Sequence, residues 1–235
     1  MENLPSVAIL CGGRATRLYP LTTDYPKSLV LIRGEPFLAH QLRLLRKNGV
    51  RHIVLCIGVQ GKMIKDFAGN GEKFGLQIDY VEDGEVLKGT GGALLQAMPF
   101  LSDPFFVMYG DSYLLCDWQK MWLDYQSKKS SAMMSIFKNS NQWDVSNAAL
   151  LDDGLVYYNK RNIRADMQYI DYGLLLCNKS SFVGYDAQFD LADLLQRLSE
   201  QKKLSAHVVS ERFYEVGSFS GMHDLEKFIG ETLRS

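Results

Sequence analysis

The chain of 235 residues is 46% hydrophobic and 23% charged, an ordinary composition that can bury one sizeable core. Twenty-six basic residues stand against 27 acidic ones, a net charge of -1, so no overall field directs the chain to nucleic acid or to an anionic membrane. The start, "MENLPSVAIL", has neither a basic flank nor a long apolar core, and no window approaches the roughly 18 apolar residues of a membrane span, so a cytoplasmic protein is expected.

The apolar run over residues 7–11 predicts a buried strand. A helix over 36–47 follows: Pro36 opens it, Leu38, Leu42 and Leu45 recur at helical spacing, and Gly49 stops it. A strand over 52–57, a short helix over 62–67, a strand over 76–81, a helix over 92–98 and a fully apolar strand over 104–109 continue the series. Such alternation implies a mostly parallel sheet with right-handed crossovers and helices on both faces, whose ligands bind at the carboxyl ends of the strands. A helix over 118–128 and a strand over 132–137 come next, and residues 148–159 read as a hairpin turning at Asp152-Asp153-Gly154. Residues 169–177 read as a strand, and 190–200 and 221–233 as helices.

The expected fold is therefore α/β, a Rossmann-like mixed, mostly parallel sheet, with a strand-rich second part covering the cleft. No linker or repeat interrupts the chain, so residues 1–235 are expected to form a single domain. Cys11, Cys56, Cys116 and Cys177 lie far apart with no CxxC pair and read as small core residues in a reducing compartment. The four histidines show neither pairing nor metal-ligand spacing, and the aromatics at Trp118, Trp122 and Tyr125 serve either the core or an interface.

The stretch "CGGRATRLYP" at 11–20 releases the first strand into two glycines and two arginines, and Lys27 follows between Pro26 and Ser28. Glycines there let main-chain N–H groups approach a phosphate or a nucleobase edge, while Arg14, Arg17 and Lys27 add local cations. A glycine turn with solvated charges is the plainer alternative. Neither the G-x-G-x-x-G fingerprint nor the G-K-[ST] ending of the two common phosphate loops is present. Together, "GGRATRLYPLTTDYPKSL" resembles the motif GGxGTRLxPLTxxxPKxL of the sugar-1-phosphate nucleotidyltransferases, departing only at Ala15 where that family has glycine.

Further segments carry the same resemblance. Gly89-Thr90-Gly91-Gly92 is similar to the family's LGTGGA segment, with Glu82 as the upstream acid near the base; Gly110-Asp111 is similar to its GD motif. Glu215 falls where the family has a late metal-binding aspartate, Lys160 where a lysine contacts the sugar phosphate, and Gly173 where a glycine lies beneath the sugar. Asp171 is a hydroxyl acceptor by position. Asn159 and Asp171-Tyr172 depart from the glucose-1-phosphate members, which points to a different sugar.

The resemblance implies a nucleotide-diphospho-sugar transferase fold with a nucleotide-binding half to about residue 115 and a sugar-binding half from about 116. It assigns Arg17, Lys27 and Asp111 to catalysis, and Cys11, Gly12, Gly13, Arg14, Arg17, Glu82, Gly89 and Thr90 to the nucleotide. Gly110, Lys160, Asp171 and Gly173 go to the sugar phosphate, and Asp111 and Glu215 to Mg²⁺. The implied reaction moves a nucleoside monophosphate from a nucleoside triphosphate to a sugar 1-phosphate, with GTP and a heptose or mannose 1-phosphate for surface polysaccharide favoured. Uridylyl or cytidylyl transfer to another sugar or to choline phosphate, and non-catalytic nucleotide-sugar binding, are the alternatives. No nucleic acid or membrane partner is implied, and a homo-oligomer is compatible with the family.

Overall fold

The computed structural model describes residues 3–13, 18–23, 25–58, 60–84, 88–128 and 130–232. Four parallel strands form its first half: β1 (Val7–Leu10) lies between β4 (His52–Ile57) and β6 (Phe105–Tyr109), and β4 continues to β5 (Gln77–Glu82). β1, β4 and β6 are nearly continuous apolar runs because both of their faces are covered, whereas β5, at the edge, mixes polar and apolar residues. In β1, Val7 and Ile9 join the core on one side of the sheet, beneath α1 (Phe37–Lys47), α2 (Gly61–Ala68) and α4 (Trp118–Lys128). Ala8 joins the opposite core, beneath α3 (Gly89–Ala97) and α5 (Leu191–Glu200).

The second half extends the same sheet antiparallel. β11 (Tyr169–Cys177) pairs with β6 and with β8 (Ala132–Lys138), and β12 (Leu204–Val209) runs parallel to β8. The predicted hairpin is β9 (Ala148–Leu150) and β10 (Val156–Tyr158), attached at the start of β11 to complete nine strands. Trp118 and Tyr125 are buried in the core. All four cysteines are free; three are buried and Cys11 is partly so.

Three features depart from the predicted elements. A two-residue hairpin of β2 (Leu31–Ile32) and β3 (Glu35–Pro36) turns at Arg33-Gly34, both at positive φ, where no apolar alternation announces it. Strand β12 was not anticipated, since its polar Ser205 and His207 are buried too. The third is a small ribbon of β7 (Ser112–Tyr113) with β13 (Tyr214–Glu215), which joins segments a hundred residues apart. Beyond it, α6 (Phe219–Thr232) packs Leu225 and Ile229 against Leu18, Val30 and Ile32, returning the end of the chain to the loop after β1. No helix among the described residues is long and apolar enough to cross a membrane.

Candidate active site

The order of the strands reverses at β1, which has β4 on one side and β6 on the other, and the carboxyl ends of these strands open on a cavity of about 290 Å³. Cys11, Gly12 and Gly13 continue β1 into its wall; Cys11 still belongs to the sheet, its N–H donating to Cys56 O at 2.8 Å. Gly12 lies against Gly58, and a Cβ on Gly12 would stand 3.2 Å from Asp83 Oδ2. Gly13 faces open space. Burial raises the Cys11 thiol far above its ordinary range and also holds the Asp83 carboxyl up, against the opposing charge of Lys88.

Lys27 and Asp111 meet at this cavity, Nζ to Oδ2 at 2.8 Å, with 18% and 27% of their side chains exposed. Pro26 is extended, and Lys27–Leu29 form a single tight turn closed by Leu29 N–H to Pro26 O at 2.9 Å, which aims Lys27 inward. Asp111 follows β6 after Gly110, whose N–H donates to Leu10 O at 3.0 Å and whose absent Cβ would fall 2.7 Å from Cys11 Sγ. Ser28, also in the wall, has a buried hydroxyl with no hydrogen-bond partner among the described residues.

The second half adds polar groups beside this cavity. In β11 the register with β8 shifts between Asp171 and Leu175, and Gly173 takes φ +94° there. The Gly173 N–H donates to Asp171 Oδ1 at 2.9 Å, and the Asp171 N–H donates to Asn147 Oδ1 at 2.9 Å. Burial pushes the Asp171 carboxyl up to about 6, against the stabilising Gly173 N–H and the charge of Lys160. Lys160 lines a second concavity of about 330 Å³ with Arg161, Asp190, Asp193 and Gln196. The two concavities share a wall, because Thr90 Oγ1 donates to Asp190 Oδ1 at 2.8 Å and accepts from the Leu191 N–H at 2.8 Å.

Glu215 reaches the same neighbourhood through its backbone, pairing with Ser112 while the next residue, Val216, donates to Asp111 O at 2.9 Å. Its carboxylate turns the other way and accepts from the Gly217 N–H and the Ser218 hydroxyl ahead of α6. Among the described residues no cluster of three His, Cys, Asp or Glu side chains could hold a metal ion unaided.

Residues 6–144, more than half of the chain, match the family described as nucleotidyl transferase. The chain belongs to the nucleotidyl transferase family. It is 29% identical over 212 residues to the D-glycero-alpha-D-manno-heptose 1-phosphate guanylyltransferase of Campylobacter jejuni, covering 89% of this chain and 93% of that one. Identity to the enzyme of the same name from Aneurinibacillus thermoaerophilus is 27% over 213 residues, covering 89% and 91%. The crystal structure of HddC from Yersinia pseudotuberculosis complexed with GMP-PN is similar with a TM-score of 0.81 at 25% identity, covering 96% of this chain and all of that one (100%). The sheet and its strand-rich second part are the nucleotide-diphospho-sugar transferase fold.

Within this nucleotidyl transferase frame, the structure brings Cys11, Gly12, Gly13, Lys27, Gly89, Thr90, Gly110 and Asp111 to one cavity, with Lys160, Asp171 and Gly173 in the adjoining half. Arg14, Ala15 and Arg17 lie outside the described residues. Glu82 does not line the cavity: it is the last residue of β5, largely exposed and paired with Lys65, while Asp83, one residue on and therefore on the other side of the strand end, does. The helix predicted to begin at Gly92 starts three residues earlier, so that Gly89 to Gly92 form the first turn of α3. Asn147 and Asp190 were missed because nothing in their own segments announces them; each is brought in by a partner more than 20 residues away, Asn147 by Asp171 and Asp190 by Thr90. Three histidines face carboxylates, His52 with Asp79 and His207 with Asp124 at 2.7 Å and His40 with Glu35 at 3.9 Å, and none of them lines the cavity.

Proposed function

We propose that this chain transfers GMP from GTP to a heptose or mannose 1-phosphate, releasing pyrophosphate and forming a GDP-sugar. The Lys27–Asp111 pair carries this reading: a cation and a carboxylate held together where β1 and β6 end, between a cavity of about 290 Å³ and the polar groups of the second half. A sugar-phosphate oxygen attacks the α-phosphorus of the triphosphate, a new P–O bond forms, and the bridging bond to the β-phosphate breaks with its electron pair leaving on pyrophosphate. The attacking phosphate is already an anion at neutral pH, so no side chain need act as base. The protein's task is to bring two polyanions together and offset their repulsion.

Lys27 supplies charge on the triphosphate side and Lys160 on the sugar-phosphate side. The Asp111 carboxylate suits Mg²⁺, because among the described residues its Oδ1 accepts only a long bond from the Ser112 hydroxyl, at 3.4 Å, and this metal is held by one or two carboxylates with phosphate oxygens and water completing its shell. Bound there, Mg²⁺ would neutralise charge across the phosphates. Glu215 is a weaker donor in this geometry, as its carboxylate already accepts from Gly217 and Ser218. Asp83 supports guanine as the base: a carboxylate accepts two adjacent N–H donors, and among the four bases only guanine presents such a pair on its Watson–Crick edge.

The relatives named as heptose 1-phosphate guanylyltransferases, matched over 89% of this chain, support GTP and a heptose 1-phosphate as the substrates. The test is pyrophosphate release with Mg²⁺ across four nucleoside triphosphates and a panel of sugar 1-phosphates. A dominant GTP pair with heptose or mannose 1-phosphate is expected, with Asp83→Asn raising KM for GTP above all. A dominant UTP or CTP pair, or nucleotide binding with no release across the panel, would replace this reading.

A further inference from the structure

The carboxylate of Asp111 is only as well aimed as the turn that carries it. Three elements hold the turn's backbone: β1 accepts the Gly110 N–H at Leu10 O, the segment after β13 donates from Val216 to Asp111 O, and α1 reaches it with one side chain. That side chain is Gln41. Its Nε2 donates to Ser112 O at 2.9 Å and to Tyr109 O at 3.3 Å, so one amide group grips the carbonyls on both sides of Gly110-Asp111.

The position is an expensive one for an amide. Gln41 is 1% exposed, on the face of α1 that also buries Leu38, Leu42 and Leu45, where an apolar side chain would pack without desolvating anything. Its Oε1 is buried with no hydrogen-bond partner among the described residues, so there the residue meets only part of its own hydrogen-bonding need. What it does satisfy are two main-chain carbonyls, one at the end of β6 and one at the start of β7, on either side of the turn.

We propose that Gln41 is a positioning residue for the reaction: it sets the pitch of the Gly110-Asp111 turn and so keeps the Asp111 carboxylate against Lys27 and facing the phosphates. This rests on the role given to Asp111 above. Among the described residues the other two hydrogen-bonded restraints on the turn are main-chain, which leaves Gln41 as the side chain through which substitution can loosen the turn without touching Asp111 or Lys27.

The experiment compares Q41L with wild type, with L42A on the same buried face as a purely structural control. Pyrophosphate release gives kcat and KM for both substrates, and amide hydrogen exchange of residues 109–113 is read on the protein without substrate or metal. For Q41L we expect kcat to fall on the order of 30-fold to 100-fold, the cost of a misplacement of about 1 Å, with KM for nucleotide within about threefold. Exchange over 109–113 should rise about tenfold or more. L42A should lower Tm yet leave that local exchange and kcat near wild type.

If Q41L does not fold, Q41E takes its place, having the same size but setting an acceptor against two acceptors. A kcat within about threefold of wild type with unchanged exchange, or equal losses in L42A, overturns the proposal. D111N retaining turnover would overturn the reading of Asp111 and this proposal with it, whereas an inactive D111N beside a fully active Q41L overturns the proposal alone.

Discussion

Two glycine stretches look alike in the sequence and do different work in the structure. Gly12-Gly13 ends β1 at the cavity, and apart from its chain neighbours no described residue has an atom within 4 Å of where a Gly13 Cβ would be. Gly89, Gly91 and Gly92 instead face protein. A Cβ on Gly89 would fall 2.5 Å from Phe189 O, one on Gly91 would collide with the Phe189 ring, and one on Gly92 with Ala187 O. Main-chain bonds fasten the same contact, Gly91 N–H to Phe189 O at 3.0 Å and Phe189 N–H to Lys88 O at 3.1 Å. The first pair of glycines clears space for a ligand, while the second group lets one half of the molecule close on the other. Gly89 and Thr90 do both: each lines the cavity, while Gly89 abuts the Phe189 carbonyl and Thr90 binds Asp190.

The largest effect belongs to the charged pair that sits at the ligand-facing stretch. Lys27→Ala and Asp111→Ala should each lower kcat on the order of 100-fold or more with little change in Tm, since each removes charge stabilisation from a partly exposed site. Turnover near wild type in either variant would strip the first glycine stretch of its assigned role. Gly92→Ala separates the two stretches by the sign of its stability change. Helix propensity alone favours alanine in α3 by about 1 kcal/mol, but the collision with the Ala187 carbonyl costs on the order of 3 kcal/mol. A Tm lower by about 4–8 °C is expected from calorimetry, and a rise would show that the halves are not fastened here. Gly13→Ala should leave Tm within about 1 °C but raise KM for the nucleotide about tenfold, roughly the worth of one close main-chain hydrogen bond.

This contrast also marks what could be read in advance. Strands buried on both faces are apolar throughout, so β4 and β11 were predicted to the residue, and α1, with proline at its start and glycine beyond its end, to within one. The cavity's position at the carboxyl end of β1 and β6 followed from the alternation of strands and helices, and the Pro-Lys-Ser and Gly-Asp segments that meet there stand out against their neighbours. Elements made by distant partners were not legible: β7 and β13 are two residues each and exist only because Ser112 and Glu215 find one another. Whether a glycine serves a ligand or a neighbour depends on what fills the space opposite, as with Phe189 opposite Gly91. The choice between Glu82 and Asp83 turned on where β5 ends, a single residue that sends one carboxylate to solvent and the next to the cavity.

A third glycine tests whether the two uses can coincide. Gly173 needs its positive φ, yet its N–H also serves Asp171, so the backbone irregularity and the acid form one unit in the second half. Burial raises the Asp171 carboxyl to about 6 from an ordinary 3.8, which means that its ionised form is carried at a cost in the folded chain. For a group raised in this way, its contribution to stability is fully present below about 3.8 and is lost as the pH climbs through about 6. Asp171→Asn keeps an oxygen for the Gly173 N–H and removes the charge. It should therefore raise Tm at pH 7.5 by about 2–4 °C, on the order of 1 kcal/mol, and the gain should vanish as the pH is brought down towards 4. The same variant should weaken the sugar phosphate and leave nucleotide KM unchanged, because a carboxylate kept ionised against its burial at neutral pH is being held for a partner. A melting curve indifferent to pH would mean that Asp171 carries no such cost, and the strand irregularity at Gly173 would then be a matter of packing alone.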